Sequence, residues 1–370
     1  MNPKQNRTED SIISGLHGLY QSFGYQQFKM SKFEEYDFYV RNKNFLVSDH
    51  IITFTDTNGK LMALKPDVTL SIVKSNAKTT PGCVQRLYYQ ENVYRVSESS
   101  SSYKEIMQMG LECLGDVDDY AISEVVTLAA RSLEAICPDY VLDVSHLGLL
   151  SEAISHTGIS HEARAELLRR VGEKNLHGVE ELCRDAGIEP SLLAPLKLLM
   201  TSYGDPEQVL SLLNRELTED KWQIHLSQLS RILSACPAEK VRVDFSVVNN
   251  MSYYNGIVFK GFISGIPQSI LSGGQYDLLM KKSEPGTGAI GFAIYWDLLE
   301  DLMAPRSEFD VDAVLLYDAD ANPARLAKAM EELTADGSSV TAQRALPEKL
   351  KYRRLLQLKE SEVEILETNA

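Results

Sequence analysis

The chain has 370 residues, of which 44% are hydrophobic and 24% charged, as expected for a globular protein of two or three domains. Its 37 basic and 52 acidic residues give a net charge of −15, which repels nucleic acid at long range and argues against RNA binding. No run approaches the ~18 apolar residues of a membrane span, and the polar start does not resemble a secretory signal. We therefore predict a cytoplasmic protein whose five widely separated cysteines are reduced.

The first part of the chain predicts helices and two β-hairpins. The strongest local signal is Asn58-Gly59, because this pair commonly forms the tight turn between two antiparallel strands. The predicted elements are a helix over 8–24 ending at Gly24, a short strand over 24–30, a hairpin over 51–64, a helix from Val68, a second hairpin of 84–94 with 103–114, a helix over 119–137 and a strand over 141–144.

The second part begins with a helical block and ends in a small α/β segment. Residues 147–235 are predicted to be wholly helical, and the apolar run 311–317 is typical of a buried parallel strand. The other predicted elements are strands over 241–245 and 256–262, a turn at Gly273-Gly274, a helix over 291–303, a helix over 324–335 and a strand over 339–342.

This order of elements predicts an α+β fold, in which antiparallel hairpins and helices are segregated. We predict a core formed by 1–146 and 236–303, a helical insertion over 147–235, and a reduced α/β domain over 304–370.

Three polar segments are hard to explain by packing alone. In the first, Leu64 to Thr69, a strand ends and presents a carboxylate and a hydroxyl two residues apart. The second is Val93-Tyr94-Arg95 together with Tyr103 to Glu112. In it Gln108, Gly110 and Glu112 lie on one strand face because successive residues of a strand alternate between faces. The third joins Met251-Ser252-Tyr253-Tyr254-Asn255-Gly256 to the later runs Gly273-Gly274-Gln275-Tyr276-Asp277 and Gly291-Phe292-Ala293.

In this order the segments resemble class II histidyl-tRNA synthetases and the paralogues that regulate short-form ATP phosphoribosyltransferase, over about residues 1–303. Asp67 favours the paralogues, since synthetases generally have glutamate there. The resemblance implies a class II synthetase-like antiparallel sheet with flanking helices, and a histidine pocket. In that pocket Glu112 and Tyr254 would hold the imidazole, and Asp67, Thr69 and Gln108 the α-amino group. Arg95 would lie beside the carboxylate, Tyr276 would close the pocket, and Tyr253 would be a further histidine-binding residue.

The chemistry of histidine suits these residue types. The amino acid offers a cationic amine, a carboxylate and two distinct ring nitrogens. Carboxylates and a glutamine bind an amine and an imidazole N–H, and an arginine binds a carboxylate. A single buried tyrosine pair or strand glutamate is more often a packing residue, so the prediction depends on the joint occurrence of the three segments.

The positive charges of a synthetase site are largely missing. Asn249 stands where the resemblance implies an arginine, as do Gln275 and, in the last class II motif, Leu298. The loop over 97–102 has no cation either. Loss of one preorganised charge typically lowers a rate by ~10²–10³, so several losses leave little adenylation. We predict no catalytic residue, cofactor or metal site, and Gly286 to Gly291 lacks the surroundings of a dinucleotide-binding loop.

The favoured hypothesis, implied by the resemblance, is a non-catalytic regulatory subunit of ATP phosphoribosyltransferase. It would form a homodimer within a hetero-octamer, enable the short catalytic subunit, take L-histidine as effector, and bind no tRNA or membrane. Two alternatives stay open: a divergent histidyl-tRNA synthetase, and a synthetase-like protein that serves another partner or small molecule. Histidine-dependent pyrophosphate exchange from ATP would distinguish the first alternative.

Overall fold

A computed structural model of the chain describes residues 9–42, 51–75, 80, 82–96, 102–236, 239–248, 253–283, 287–299, 309–359 and 362–369. The chain divides into two compact units, one of Arg7–Leu302 and the other of Met1–Asn6 with Met303–Ala370. The finer division of the larger unit into a core and a helical insertion stays a prediction.

The larger unit is built on a nine-stranded sheet with a separate three-stranded sheet. The strands are β1 (Gln26–Gln27), β2 (Phe33–Glu35), β3 (Thr53–Thr55), β4 (Leu61–Leu64), β5 (Val84–Val96), β6 (Tyr103–Gly115), β7 (Tyr140–His146), β8 (Tyr203–Gly204), β9 (Val241–Asp244), β10 (Ile257–Ile263), β11 (Leu271–Gln275) and β12 (Gly288–Tyr295). The large sheet has the order β1-β5-β6-β12-β11-β10-β7-β9-β8 and the small one β2-β4-β3. Pairing is antiparallel except between β1 and β5 and between β7 and β9.

Helices cover this framework. They are α1 (Glu9–Ser22), α2 (Tyr36–Arg41), α3 (Thr69–Ser75), α4 (Asp119–Ile136), α5 (Leu147–Thr157), α6 (His161–Gly172), α7 (Leu176–Asp185), α8 (Ala194–Thr201), α9 (Pro206–Glu216), α10 (Asp220–Ser234) and α11 (Asp277–Ser283). Helices α1 and α4 pack on one face of the large sheet, where Tyr20 bonds Ser132 at 2.9 Å and its ring lies 6.3 Å from that of Phe292. The candidate pocket residues lie on the opposite face.

Both predicted hairpins are confirmed. Strands β3 and β4 pair in antiparallel fashion around Gly59, whose φ of 81° explains the glycine in this turn. Strands β5 and β6 pair in register from Val84 with Gly115 to Val96 with Tyr103, which fixes the face on which every side chain of the hairpin lies.

Three predictions for the larger unit are wrong in detail. Tyr203–Gly204 interrupt the helical block with a short edge strand that pairs with β9. Gly273 and Gly274 lie within β11 rather than in a turn. The strand has glycines at these positions because its neighbours leave no room for a side chain. Residues 288–295 form β12, between β6 and β11, and only a short 3₁₀ turn at Trp296–Leu299 follows within the described residues.

The smaller unit has its own sheet and core. Its elements are β13 (Val311–Leu316), α12 (Pro323–Thr334), β14 (Val340–Gln343), β15 (Tyr352–Leu358) and β16 (Val363–Thr368). The order is β14-β13-β15-β16, and β13 is parallel to both neighbours, as its apolar run predicts. The sequence prediction missed β15 and β16. Ala313, Leu315 and Leu356 form the core with Ala329 of α12.

Candidate ligand-binding site

Alternation along the β5–β6 hairpin brings the candidate residues to one face of the large sheet. Glu112 pairs with Leu87 and Gln108 with Glu91 across the hairpin, so Glu112 and Gln108 lie on the same face, four register pairs apart. Both are almost fully buried, with 2% and 3% of their surfaces exposed. Burying a polar side chain costs free energy unless the side chain is hydrogen-bonded. The two buried polar side chains therefore indicate a face that binds polar partners.

Glu112 is held from both sides by hydroxyl groups. The Thr69 hydroxyl donates to Oε1 at 2.7 Å, and the Tyr276 hydroxyl donates to Oε2. Gly291 on β12 lies opposite Glu112, where a Cβ atom would lie 1.7 Å from Oε2. The close approach of the Glu112 carboxylate therefore requires a glycine at position 291. The helix predicted over 291–303 was based on the local sequence pattern, which contains no information on this long-range contact.

Asp67 and Arg95 lie where the end of β4 meets β5. Asp67 is 8% exposed and accepts the backbone N–H of Leu70 at 2.9 Å, so its carboxylate caps the first turn of α3. Arg95 donates from Nε to the carbonyl of Pro66 at 2.9 Å, which holds the guanidinium beside the Asp67 segment. The structure thus places the candidate amine-binding carboxylate and the only cation of the candidate set next to each other.

Three tyrosines line the same region. The rings of Tyr253 and Tyr254 lie 4.6 Å apart, and those of Tyr253 and Tyr276 lie 5.6 Å apart. Tyr253 and Tyr276 are buried in the apolar cluster beside the hairpin, and Tyr254 packs against it. Asn255 anchors this segment, because its side chain bonds Asp277 at 2.9 Å and its backbone N–H bonds Gln275.

Burial dominates the electrostatics of the site. Burial raises the pKa of Glu112 to about 8, against the effect of the two hydroxyl donors. Burial also raises the pKa of Asp67, although the Leu70 N–H and Arg95 oppose it. Burial thus favours the neutral form of both carboxyl groups, and Arg95 is the one cation of the candidate set. A ligand with a cationic amine and an N–H donor would favour their ionised forms.

Two further features belong to this face and were missed in the sequence. Lys65 is fully buried and pairs with Glu91, which also accepts the backbone N–H of Met30 at 3.4 Å. Tyr295 on β12 lies opposite Gln108. The sequence indicated Lys65 only through its place as a charged residue at the end of an apolar strand. Tyr295 was missed because residues 291–303 were predicted to be a helix, whereas Tyr295 lies on β12.

The residues that replace the expected arginines have other surroundings. Gln275 is 7% exposed and accepts the backbone N–H of Ile257 at 2.7 Å, so it fixes the start of β10. Leu298 lies in the 3₁₀ turn after β12. Asn249 and most of the serine loop, residues 97–101, lie outside the described residues.

The described residues contain no group of three or more acidic, histidine or cysteine side chains placed to hold a metal ion. Gly288 and Gly291, from the glycine-rich run, lie within β12 rather than in a loop that opens a helix. None of the helices in the described part of the chain combines the length and apolar character that a membrane span requires.

Comparison with known proteins decides the family. The sequence model of the family described as histidyl-tRNA synthetase matches residues 1–299. The chain belongs to the histidyl-tRNA synthetase family. Among members of this family, it is 27% identical over 313 residues to the ATP phosphoribosyltransferase regulatory subunit of Oceanobacillus iheyensis, covering 83% of this chain and 76% of the relative. It is 26% identical over 325 residues to the histidine–tRNA ligase of Methanococcus maripaludis, covering 85% and 76%.

Solved structures support the class II synthetase-like fold. A protein from Bacillus halodurans C described as an ATP phosphoribosyltransferase regulatory subunit/histidyl-tRNA synthetase has a TM-score of 0.76 at 23% identity, covering 92% of this chain and 90% of that one. A chain of the ATP phosphoribosyl transferase (HisG:HisZ) complex from Thermotoga maritima has a TM-score of 0.60 at 19% identity, covering 77% and 96%. At these identities the likeness shows the fold, and the α+β prediction is confirmed.

Proposed function

We propose that the chain is a non-catalytic regulatory subunit of ATP phosphoribosyltransferase that binds L-histidine on the pocket face of its large sheet. The observation that carries the proposal is Glu112, a buried carboxylate between the hydroxyls of Thr69 and Tyr276. A synthetase site with its recognition residues present and its arginines replaced suits sensing rather than adenylation. Relatives of the same family that are named as regulatory subunits support this choice.

Histidine fits the distribution of charge in the candidate pocket. The imidazole N–H would donate to Glu112, and the α-ammonium group would lie at Asp67 and Gln108. The carboxylate would lie near Arg95, whose guanidinium is directed to this segment by the Pro66 carbonyl. Histidine that binds one assembly state more tightly than another would shift the equilibrium between them and so regulate the partner.

The partner in this proposal is the short catalytic subunit, within a hetero-octamer that contains homodimers of this chain. The catalytic residues for ribosyl transfer would lie on that subunit. The net charge of −15 disfavours tRNA as a further partner.

Reconstitution with a short catalytic subunit tests the proposal. We expect phosphoribosyl transfer to appear on mixing and to fall when histidine is added. In Glu112→Gln, activation should persist while the histidine concentration for half inhibition rises about tenfold or more, because an amide cannot ionise to accept the imidazole N–H and presents N–H groups to two hydroxyls. Glu105→Gln is the matched control, since Glu105 lies exposed on the same strand and bonds Asn92 and Tyr94.

Pyrophosphate exchange distinguishes the synthetase alternative. Histidine-dependent exchange from ATP should be absent in this chain, because Leu298 and Gln275 replace charges that would stabilise the phosphates. Measurable exchange would overturn the non-catalytic assignment. Histidine that changes neither stability nor activity, alone or with the catalytic subunit, would favour another ligand in the same site.

A further inference from the structure

Tyr295 forms a wall at one end of the pocket face of β12. Side chains on this face alternate along the strand, and toward Tyr295 they are Ala289, Gly291 and Ala293. All three are small, and Gly291 has no side chain because Glu112 occupies the space. Tyr295 is therefore the first large side chain on this face of the strand, and its register partner on β6 is Gln108.

The Tyr295 phenol lies among the polar groups of the candidate pocket. Ser272, on the neighbouring strand β11, hydrogen-bonds this phenol. Of the β12 residues on the pocket face, Tyr295 lies nearest in register to Arg95, because its partner Gln108 lies between Glu112 and Lys104, the partner of Arg95. Arg95 and Asp67 both interact with it electrostatically. A phenol has an acceptor oxygen and one O–H to donate, so it can bond a serine through its oxygen and donate its O–H to a ligand.

We propose that Tyr295 is a specificity-determining residue that, with Arg95, forms the carboxylate-binding end of the pocket. This inference rests on the proposed histidine site. It assigns a second residue to the carboxylate-binding end, for which Arg95 was the only candidate. The position at which the resemblance implies a second carboxylate-binding cation is Asn249, which carries no charge. A phenol O–H beside the guanidinium supplies a second donor to the carboxylate without adding a charge.

The rest of the site leaves this end for the carboxylate. In the proposed site Glu112 would take the imidazole N–H, and Asp67 would take the amine together with Gln108. The carboxylate requires donors, and Arg95 and Tyr295 supply them within the described residues of the proposed site. A hydrogen bond to a charged group contributes more than one between neutral groups, so its loss is measurable.

The test compares histidine with histamine, which keeps the imidazole and the amine and lacks the carboxylate. Binding is measured by calorimetric titration of the full chain, alone and with the catalytic subunit, and histamine is measured as a competitor of histidine. Tyr295→Phe should bind histidine about 10-fold or more weakly and histamine with unchanged affinity. The ratio of the two affinities is the decisive readout, since a merely structural role would weaken both alike.

Tyr88→Phe is the matched control. Tyr88 lies on β5 of the same sheet but on the face opposite to Tyr295, where Gln21 bonds its hydroxyl at 2.9 Å. This variant should leave both affinities unchanged. Equal weakening of histidine and histamine in Tyr295→Phe, or no change in either, would overturn the role of Tyr295. Wild-type chain that binds neither compound in either setting would instead overturn the histidine site itself.

Discussion

At the scale of single residues, Glu112 makes the stability of the chain depend on pH. Burial raises its pKa from 4.5 to about 8, so between these values the folded chain holds a proton that the unfolded chain has lost. The free energy of unfolding therefore falls as the pH rises through this window. The loss amounts to roughly 2–5 kcal/mol, at ~1.4 kcal/mol for each unit of pKa shift. Asp67, whose pKa is also raised, acts in the same direction.

Glu112→Gln should remove most of this dependence. Near pH 5 the variant and the wild type should have similar stability, because the glutamate is then protonated. Near pH 8 the variant should be the more stable of the two. Urea unfolding curves at both pH values measure the difference, and Glu105→Gln serves as control because hydrogen bonds from Asn92 and Tyr94 lower the pKa of Glu105. Parallel pH profiles for the wild type and Glu112→Gln would contradict the account.

At the scale of elements, the buried pair of Lys65 and Glu91 joins the end of β4 to β5. Lys65 also bonds through its backbone, accepting from Tyr94 at 2.9 Å and donating to Lys32 at 3.0 Å. Lys65→Met should destabilise the chain by ~3–5 kcal/mol, since it leaves the Glu91 carboxylate partly buried without its cation. Adding Glu91→Gln should recover a large part of that loss.

The double-mutant cycle for this pair is measured by urea unfolding. The matched control is Lys60→Met, which breaks the pair of Lys60 with Glu35 on the small sheet. The side chains of that pair are 61% and 58% exposed, so the unfolding midpoint should hardly move. Additive effects of Lys65→Met and Glu91→Gln would show that the two side chains do not depend on each other.

The elements that the sequence predicted correctly are those with local signals. Asn58-Gly59 defines a turn by itself, and alternation along 84–114 defines the faces of the second hairpin. The helix predicted from Gly291 failed because the deciding contact, with Glu112, comes from a distant part of the chain. Strands β15 and β16 were missed because two arginines interrupt the apolar residues of the first and two glutamates those of the second, which weakens the apolar pattern of a strand.

The candidate site shows the same division. The eight candidate pocket residues were predicted from the order of three motifs, and they all lie in the larger unit. Lys65 and Tyr295 were missed because a buried ion pair and a strand register become visible only when separate strands are placed side by side.

At the scale of the whole molecule, the division into two compact units predicts that histidine binding belongs to the larger unit. All eight candidate residues lie within Arg7–Leu302, and the smaller unit has a separate apolar core around Leu315 and Leu356. A chain of residues 7–302 should therefore fold cooperatively. Histidine at 100 times its Kd should stabilise this chain and the full chain equally, by ~2.7 kcal/mol.

Thermal or urea unfolding with and without histidine measures that stabilisation in both chains. Glu112→Gln in each length is the control, because it should reduce the histidine effect to the same extent in both. A full chain that responds to histidine while residues 7–302 fold but do not respond would mean that the smaller unit completes the pocket. Equal responses would leave the smaller unit free for another task, and activation of the catalytic subunit by residues 7–302 would then measure its part in assembly.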